Sequence, residues 1–267
     1  MKNVEELNRI EKLKNSLNET GFFLQKKIEE ILKDSKTAGW ALKYCDRPFA
    51  YPPRNGPIKG SEGRVDIIAE KMCSAGLGYS FIECKRANPE YCDWVFFPAY
   101  EQRQFFYSLH NKKSVGCGSI RISDFHDSVL CDIGVGIKEK GTDRGNRKVA
   151  DANEIEKVCE QTCHALVGVG VTDLSLRSND HLQFFPLVIT TANLFIAEYD
   201  AENIDISNGK IATVNLQLKS VDWIYFNYPM PQYLHFANEI SPNFARKATV
   251  IIVNSKKAEE FLGKFQP

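Results

Sequence analysis

The chain has 267 residues, 43% hydrophobic and 25% charged, which is ordinary composition for a globular protein with a sizeable core. Lys plus Arg and Asp plus Glu both number 34, so the formal charge is zero. This balance excludes a simple polycationic coat for nucleic acid but leaves local basic patches open.

Leu7, Ile10, Leu13 or Lys14, and Leu17 keep helical spacing and predict an amphipathic helix over 2–18. Asn18 to Gly21 interrupts it. A second helix follows through FFLQKKIEEILKD, with Leu24, Ile28, Ile31 and Leu32 on one face. Gly39 ends the next turn, and WALKYC reads as a short strand. AYPPRNGPIKGSEG, residues 50–63, is dense in Pro and Gly and is expected to be a loop. GRVDIIAEK and YSFIECKR read as two strands of a hairpin joined by MCSAGLG. Tyr100 to Leu109 reads as helix, and the apolar runs VGCGSIRIS and VLCDIGVGI as strands of an insertion. KEKGTDRGNRK, residues 138–148, sets five bases against two acids and two glycines and is expected to be an exposed loop. Asp151, with Glu154 three residues later, predicts a helix start, the helix running to Val167. FFPLVITTANLFIAEYD reads as strand, turn, strand. More strands follow in IATVNLQLKSVDWIYF and ATVIIVN, and KKAEEFLGKF reads as a closing helix.

One segment resists a packing explanation. SFIECKRA (80–87) begins as a core strand and then brings Glu83, Lys85 and Arg86 with no turn residue. Residues two apart on a strand share a face, so Glu83 and Lys85 point the same way. The preceding strand, VDIIAE, also hides a charge, Asp66. Pairing the strands sets Asp66 beside Glu83, and two carboxylates in a partly apolar place repel unless a cation lies between them. Oxygen ligands of this kind suit Mg²⁺ or Mn²⁺. Lys85 would then stand beside the ion, placed to orient or deprotonate a water and to offset phosphate charge.

These residues resemble the PD-(D/E)XK nuclease superfamily. Asp66 matches its first acid and Glu83-Cys84-Lys85 its acid-x-Lys element, with sixteen residues between Asp66 and Glu83. The resemblance implies a restriction-endonuclease-like α/β fold: a mixed central sheet flanked by helices, built from helix, three strands, helix, strand, with insertions. Residues 22–86, the helix from 151 and PLVITT would supply that core. It also implies that Asp66, Glu83 and the Cys84 carbonyl bind Mg²⁺ or Mn²⁺, and that Lys85 positions the attacking water. A helix acid assists in many members. Glu29 borders the apolar stripe of its helix while Glu30 lies nearly opposite, so Glu29 is the candidate. The implied activity is metal-dependent hydrolysis of DNA, in restriction, phage defence or repair, with partner proteins because no helicase or methylase segment is recognisable.

The whole chain reads as one domain, with the N-terminal helix at 1–20, an insertion at 90–150 and extra strands over 205–267. Candidate substrate contacts are Arg54 and Lys59 on the Pro/Gly loop, Arg86 beside the motif, and Arg144 and Arg147 on the basic loop. Neither a signal core nor a membrane span is present, so a cytoplasmic setting without membrane contact is expected. The eight cysteines are then free thiols or ligands rather than disulfides. Cys159-x-x-x-Cys163-His164 is only a loose metal pattern. Blander readings stand beside these. Acid-x-Lys arises by chance on any solvated strand, and Asp66 alone could cap backbone N–H groups. A non-catalytic nucleic-acid-binding relative, a protein-interaction module and an RNA nuclease are the functional alternatives.

Overall fold

A computed structural model of the chain describes residues 2–34, 37, 39–50, 62–73, 76–100, 106–110, 114–118, 129–137, 150–151, 153–174, 182–229 and 247–265. Four α-helices are described: α1 (Lys2–Asn18), α2 (Phe22–Lys33), α3 (Asn153–Ala165) and α4 (Ala258–Lys264). The strands of the N-terminal half are β1 (Ala41–Ala50), β2 (Glu62–Cys73), β3 (Gly76–Lys85), β4 (Asp93–Pro98), β5 (Phe106–His110), β6 (Ser114–Gly118) and β7 (Leu130–Ile137). Those that follow are β8 (Ala150–Asp151), β9 (Leu182–Thr190), β10 (Asn193–Tyr199), β11 (Ile204–Asp205), β12 (Lys210–Ile211), β13 (Leu216–Val221), β14 (Trp223–Pro229) and β15 (Lys247–Asn254).

β1, β2 and β3 form an antiparallel meander, in which β2 and β3 carry buried apolar runs and the β2–β3 connection is short. β9 then lies parallel to β3, matched from Leu77–Leu182 to Lys85–Thr190. A parallel neighbour requires a crossover, and α3 lies within it. The path continues β9-β15-β14-β7-β4-β10-β13, and β5, β6 and β8, which pair off this path, bring the mixed sheet to thirteen strands. Apolar residues alternate between its faces. Phe81, Phe184, Val188 and Val250 pack with Val158, Cys159 and Cys163 of α3 on one side. On the other, Ile67, Ile82, Leu187 and Ile251 pack with Ile28 and Leu32 of α2 and with Phe261 and Leu262 of α4. The result is a large mixed sheet flanked by helices.

Several local expectations are corrected. Part of the segment read as helix over Tyr100–Leu109 is strand, since Phe106–His110 pairs with β6 and with β9. Its apolar spacing suits a helix, but the β9 edge offers backbone partners that a helix cannot use. WALKYC opens a strand that runs on to Ala50. Asp151 belongs to β8, and the helix begins at Asn153. The α-helix ends at Ala165, near the expected end at about Val167, and the chain continues as a π-helical stretch, Leu166–Leu174. There Gly168 lies so close to Phe49 that a Cβ would meet the ring at 2.9 Å. Among the described residues no helix is long and apolar enough to cross a membrane.

Candidate active site

The antiparallel pairing of β2 and β3 is recorded up to Ile67–Ile82, which makes Asp66 and Glu83 the next residues of each strand. Asp66 extends the pairing through its side chain: its Oδ2 accepts from the Cys84 N–H at 2.8 Å. In an antiparallel strand the N–H and C=O of one residue face the same neighbour, so the Cys84 carbonyl opens on the same gap. The chain entering α2 borders that gap. A Cβ added to Gly21 would sit 3.0 Å from the Cys84 oxygen.

The electrostatics follow from crowding of carboxylates away from water. Burial pushes Asp66 up from 3.8 to about 6, the Cys84 N–H bond opposes this, and the charges of Asp46 and Glu29 add to it. Glu83 is pushed from 4.5 to about 8, first by burial and then by the Asp66 charge, with Lys85 pulling the other way. Its Oε2 is buried and has no hydrogen-bond partner among the described residues. An orphaned buried carboxylate oxygen beside a second carboxylate is an arrangement that a cation or a proton relieves.

Lys85 is held from α3, its Nζ lying 3.5 Å from Glu154 Oε1. Glu154 stands in the first turn of α3 and also accepts from the Asn88 N–H at 3.4 Å. Glu29 is 6% exposed, whereas Glu30 is exposed. The Glu29 carboxylate accepts from Lys26 Nζ at 2.8 and 2.9 Å and from Gln25 Nε2 at 3.2 Å. Glu29 thus flanks the site with a neutralising lysine of its own. The Cys84 thiol is buried and its pKa lies well above the ordinary thiol range, so this residue offers its carbonyl rather than its sulfur. Arg86 is half-buried and donates from Nη1 to the Glu19 carbonyl at 3.2 Å, which ties β3 to the α1–α2 junction. Arg54, Lys59, Arg144 and Arg147 lie outside the described residues.

Asp46, Gln25, Glu154 and Arg64 were not singled out as site residues by sequence reasoning. Asp46 lies across from Asp66, between the pairs Cys45–Ile67 and Arg47–Val65. Nothing in the segment around it distinguishes it from a solvated strand acid. Gln25 precedes Glu29 by one helical turn, a signal that was available, while Glu154 read as a helix-start residue. Arg64 is an exposed guanidinium two residues before Asp66 that lines a shallow cleft with Pro48, Phe49 and Glu62.

Among the described residues no three His, Cys, Asp or Glu side chains converge as a ready cation cage. The donors present are two carboxylates and one main-chain carbonyl. That set fits Mg²⁺ or Mn²⁺, which keep several waters and use one or two protein carboxylates. Cys45, Cys73, Cys84, Cys92, Cys131, Cys159 and Cys163 are free thiols. Burial pushes the pKa of Cys163 and Cys159 upward, and His164 faces Glu160 at 4.0 Å. Comparison with protein-family models, with curated proteins and with solved structures gives no match.

Proposed function

We propose that the chain is a divalent-cation-dependent nuclease of the PD-(D/E)XK kind that hydrolyses DNA phosphodiester bonds. The observation that carries this reading is the buried Glu83 carboxylate, with an unpartnered oxygen, set against Asp66 and followed by Lys85. The order α2, β1–β2–β3, α3, β9, with β9 parallel to β3, supports it as the helix, three strands, helix, strand of that superfamily.

Asp66, Glu83 and the Cys84 carbonyl would hold Mg²⁺ or Mn²⁺. When bound, such an ion polarises a phosphoryl oxygen and lowers the pKa of a water. Lys85 keeps its ammonium beside the carboxylate pair, where it orients the attacking water and offsets charge growing on the phosphate. Glu154 steadies that ammonium. Glu29 acts on Asp66 through its charge, and Arg86, Arg64 and the cations Arg54, Lys59, Arg144 and Arg147 supply phosphate contacts. A cytoplasmic role in restriction, phage defence or repair, alongside other proteins, belongs to the same proposal.

A non-catalytic nucleic-acid-binding role is the second reading, favoured by the engagement of Lys85 with Glu154. One experiment decides. Purified protein is incubated with plasmid, linear duplex, single-stranded DNA and RNA, in Mg²⁺, Mn²⁺ or EDTA, alongside Asp66→Asn. Cleavage of DNA in Mg²⁺ or Mn²⁺ alone, lost in Asp66→Asn, is the expected result. Preferential cutting of RNA replaces the substrate. Retained cleavage in Asp66→Asn moves the active site elsewhere, and binding without cleavage establishes the second reading.

A further inference from the structure

Both β1 and β2 change phase where they carry their acids. Side chains on one face of a strand stand an even number of residues apart. Yet Tyr44 and Phe49 both pack on the α3 face, and so do Val65 and Ile68. Ile67 and Ala69 pack on the α2 face, and the separate register shift between Leu42 and Tyr44 lies outside this stretch. The register between the strands is held from Tyr44–Ile68 to Ala50–Glu62, so the two slip together.

Asp46 lies at the slip. Its φ is +48°, and among the described residues it is the only non-glycine at positive φ. The left-handed region penalises side chains with a Cβ, least for Asn and Asp and most for β-branched residues. A tether from α2 reaches this point. Gln25, 5% exposed, places its Nε2 at 3.2 Å from Asp46 Oδ1, from the Asp66 carbonyl and from Glu29 Oε1. An amide nitrogen has two protons for these three acceptors, so it is shared among them and ties α2 to both strands.

We propose that Asp46 and Gln25 are positioning residues: the left-handed backbone at Asp46, clamped by the Gln25 amide, slips β1 and β2 together and delivers the Asp66 carboxylate to the Cys84 N–H. The centre served is the one proposed above, but the device resides in the backbone and is tested without turnover. Conformation at position 46, rather than charge, is then what matters.

The test compares Asp46→Asn and Asp46→Gly, which accept the left-handed region, with Asp46→Val, which resists it. Amide hydrogen exchange at Cys84 is followed in the full chain without added metal, with melting curves to verify folding. Asp46→Val should speed exchange of the Cys84 N–H by about tenfold or more, the scale of the left-handed penalty, while Asn and Gly stay within about threefold of wild type. Gln25→Leu should shift exchange in the same direction as Val. Should Asp46→Val fail to fold, Asp46→Ala and Gln25→Leu carry the comparison. Unchanged Cys84 exchange in folded Val or Ala variants overturns the proposal. So does Asp46→Asn accelerating as much as Val, since the carboxylate charge is then the operative feature. If wild type cleaves nucleic acid, kcat should fall in Asp46→Val with KM for DNA held, and recover in Asp46→Gly. If wild type cleaves nothing, the nuclease reading fails and the exchange data still decide this inference.

Discussion

Glu83→Gln isolates the cost of keeping a charge at the centre. In the folded chain Glu83 keeps its proton up to about pH 8, against an ordinary value of 4.5. The folded state therefore binds that proton more tightly than the unfolded chain does. Stability from this group is full below about 4.5 and is lost as pH rises through about 8. Unrelieved, that displacement corresponds to about 5 kcal/mol against the charged form. Relaxation and water entry ease the charged form, and part of the repulsion is shared with Asp66, which leaves ~2–3 kcal/mol. For a chain of this size that is roughly 5–10 °C in melting temperature. Thermal melts of wild type and Glu83→Gln across a pH series in EDTA measure it directly. The curves should coincide below about pH 4.5, separate progressively up to about pH 8 and keep a constant offset above it, with the Gln variant melting higher. Mg²⁺ should then raise wild type more than the variant, because only wild type has the second carboxylate to neutralise. Parallel profiles over the whole window would refute the reasoning, since Glu83 would then be solvated.

Lys85→Ala leaves both carboxylates in place, so divalent binding by calorimetry should persist or tighten while cleavage falls by roughly 10²-fold or more. Cleavage unaffected by that change would remove Lys85 from the mechanism. Gly21→Ala suits the backbone, whose φ is −72°, but its Cβ would meet the Cys84 carbonyl at 3.0 Å. It should fold within ~1 kcal/mol of wild type, yet bind Mn²⁺ about threefold or more weakly, because the carbonyl must move to make room. Equal Mn²⁺ affinity would show that this carbonyl is no ligand.

The neighbourhood of Asp66 and Glu83 was legible because it depends on two strong local signals. The hairpin follows from apolar runs on both sides of a Gly-containing turn, and period-two spacing puts Glu83 and Lys85 on one face. Asp46 was not legible, because its importance comes from a backbone angle and from Gln25, which lies on a helix 21 residues earlier in the chain. No period or composition records a φ of +48°. The reading of Tyr100–Leu109 failed for a related reason. Phe106 to His110 is strand because β9 presents an edge supplied by residues 182–184, a partner that no local window contains. Glu154 reads from the sequence only as a helix-start residue, since its hold on Lys85 depends on how α3 seats against β3.

The position of β9 bears on how far the chain can be shortened. β3 follows it along its full length on one side, whereas its other side is divided between β5 near Leu182 and β15 from Leu187 to Thr190. A fragment ending near residue 200 would keep every carboxylate of the proposed centre but lose β14, β15 and α4. The backbone of Leu187 to Thr190 would then have no neighbour on the side away from β3, and Leu187 and Ile189 would lose the cover of Phe261 and Leu262. An open apolar edge of this kind recruits further chains, so such a truncation should aggregate rather than act as a minimal enzyme. β14 and β15, which begin only at Trp223 and Lys247, thus help keep the edge beside the proposed centre covered.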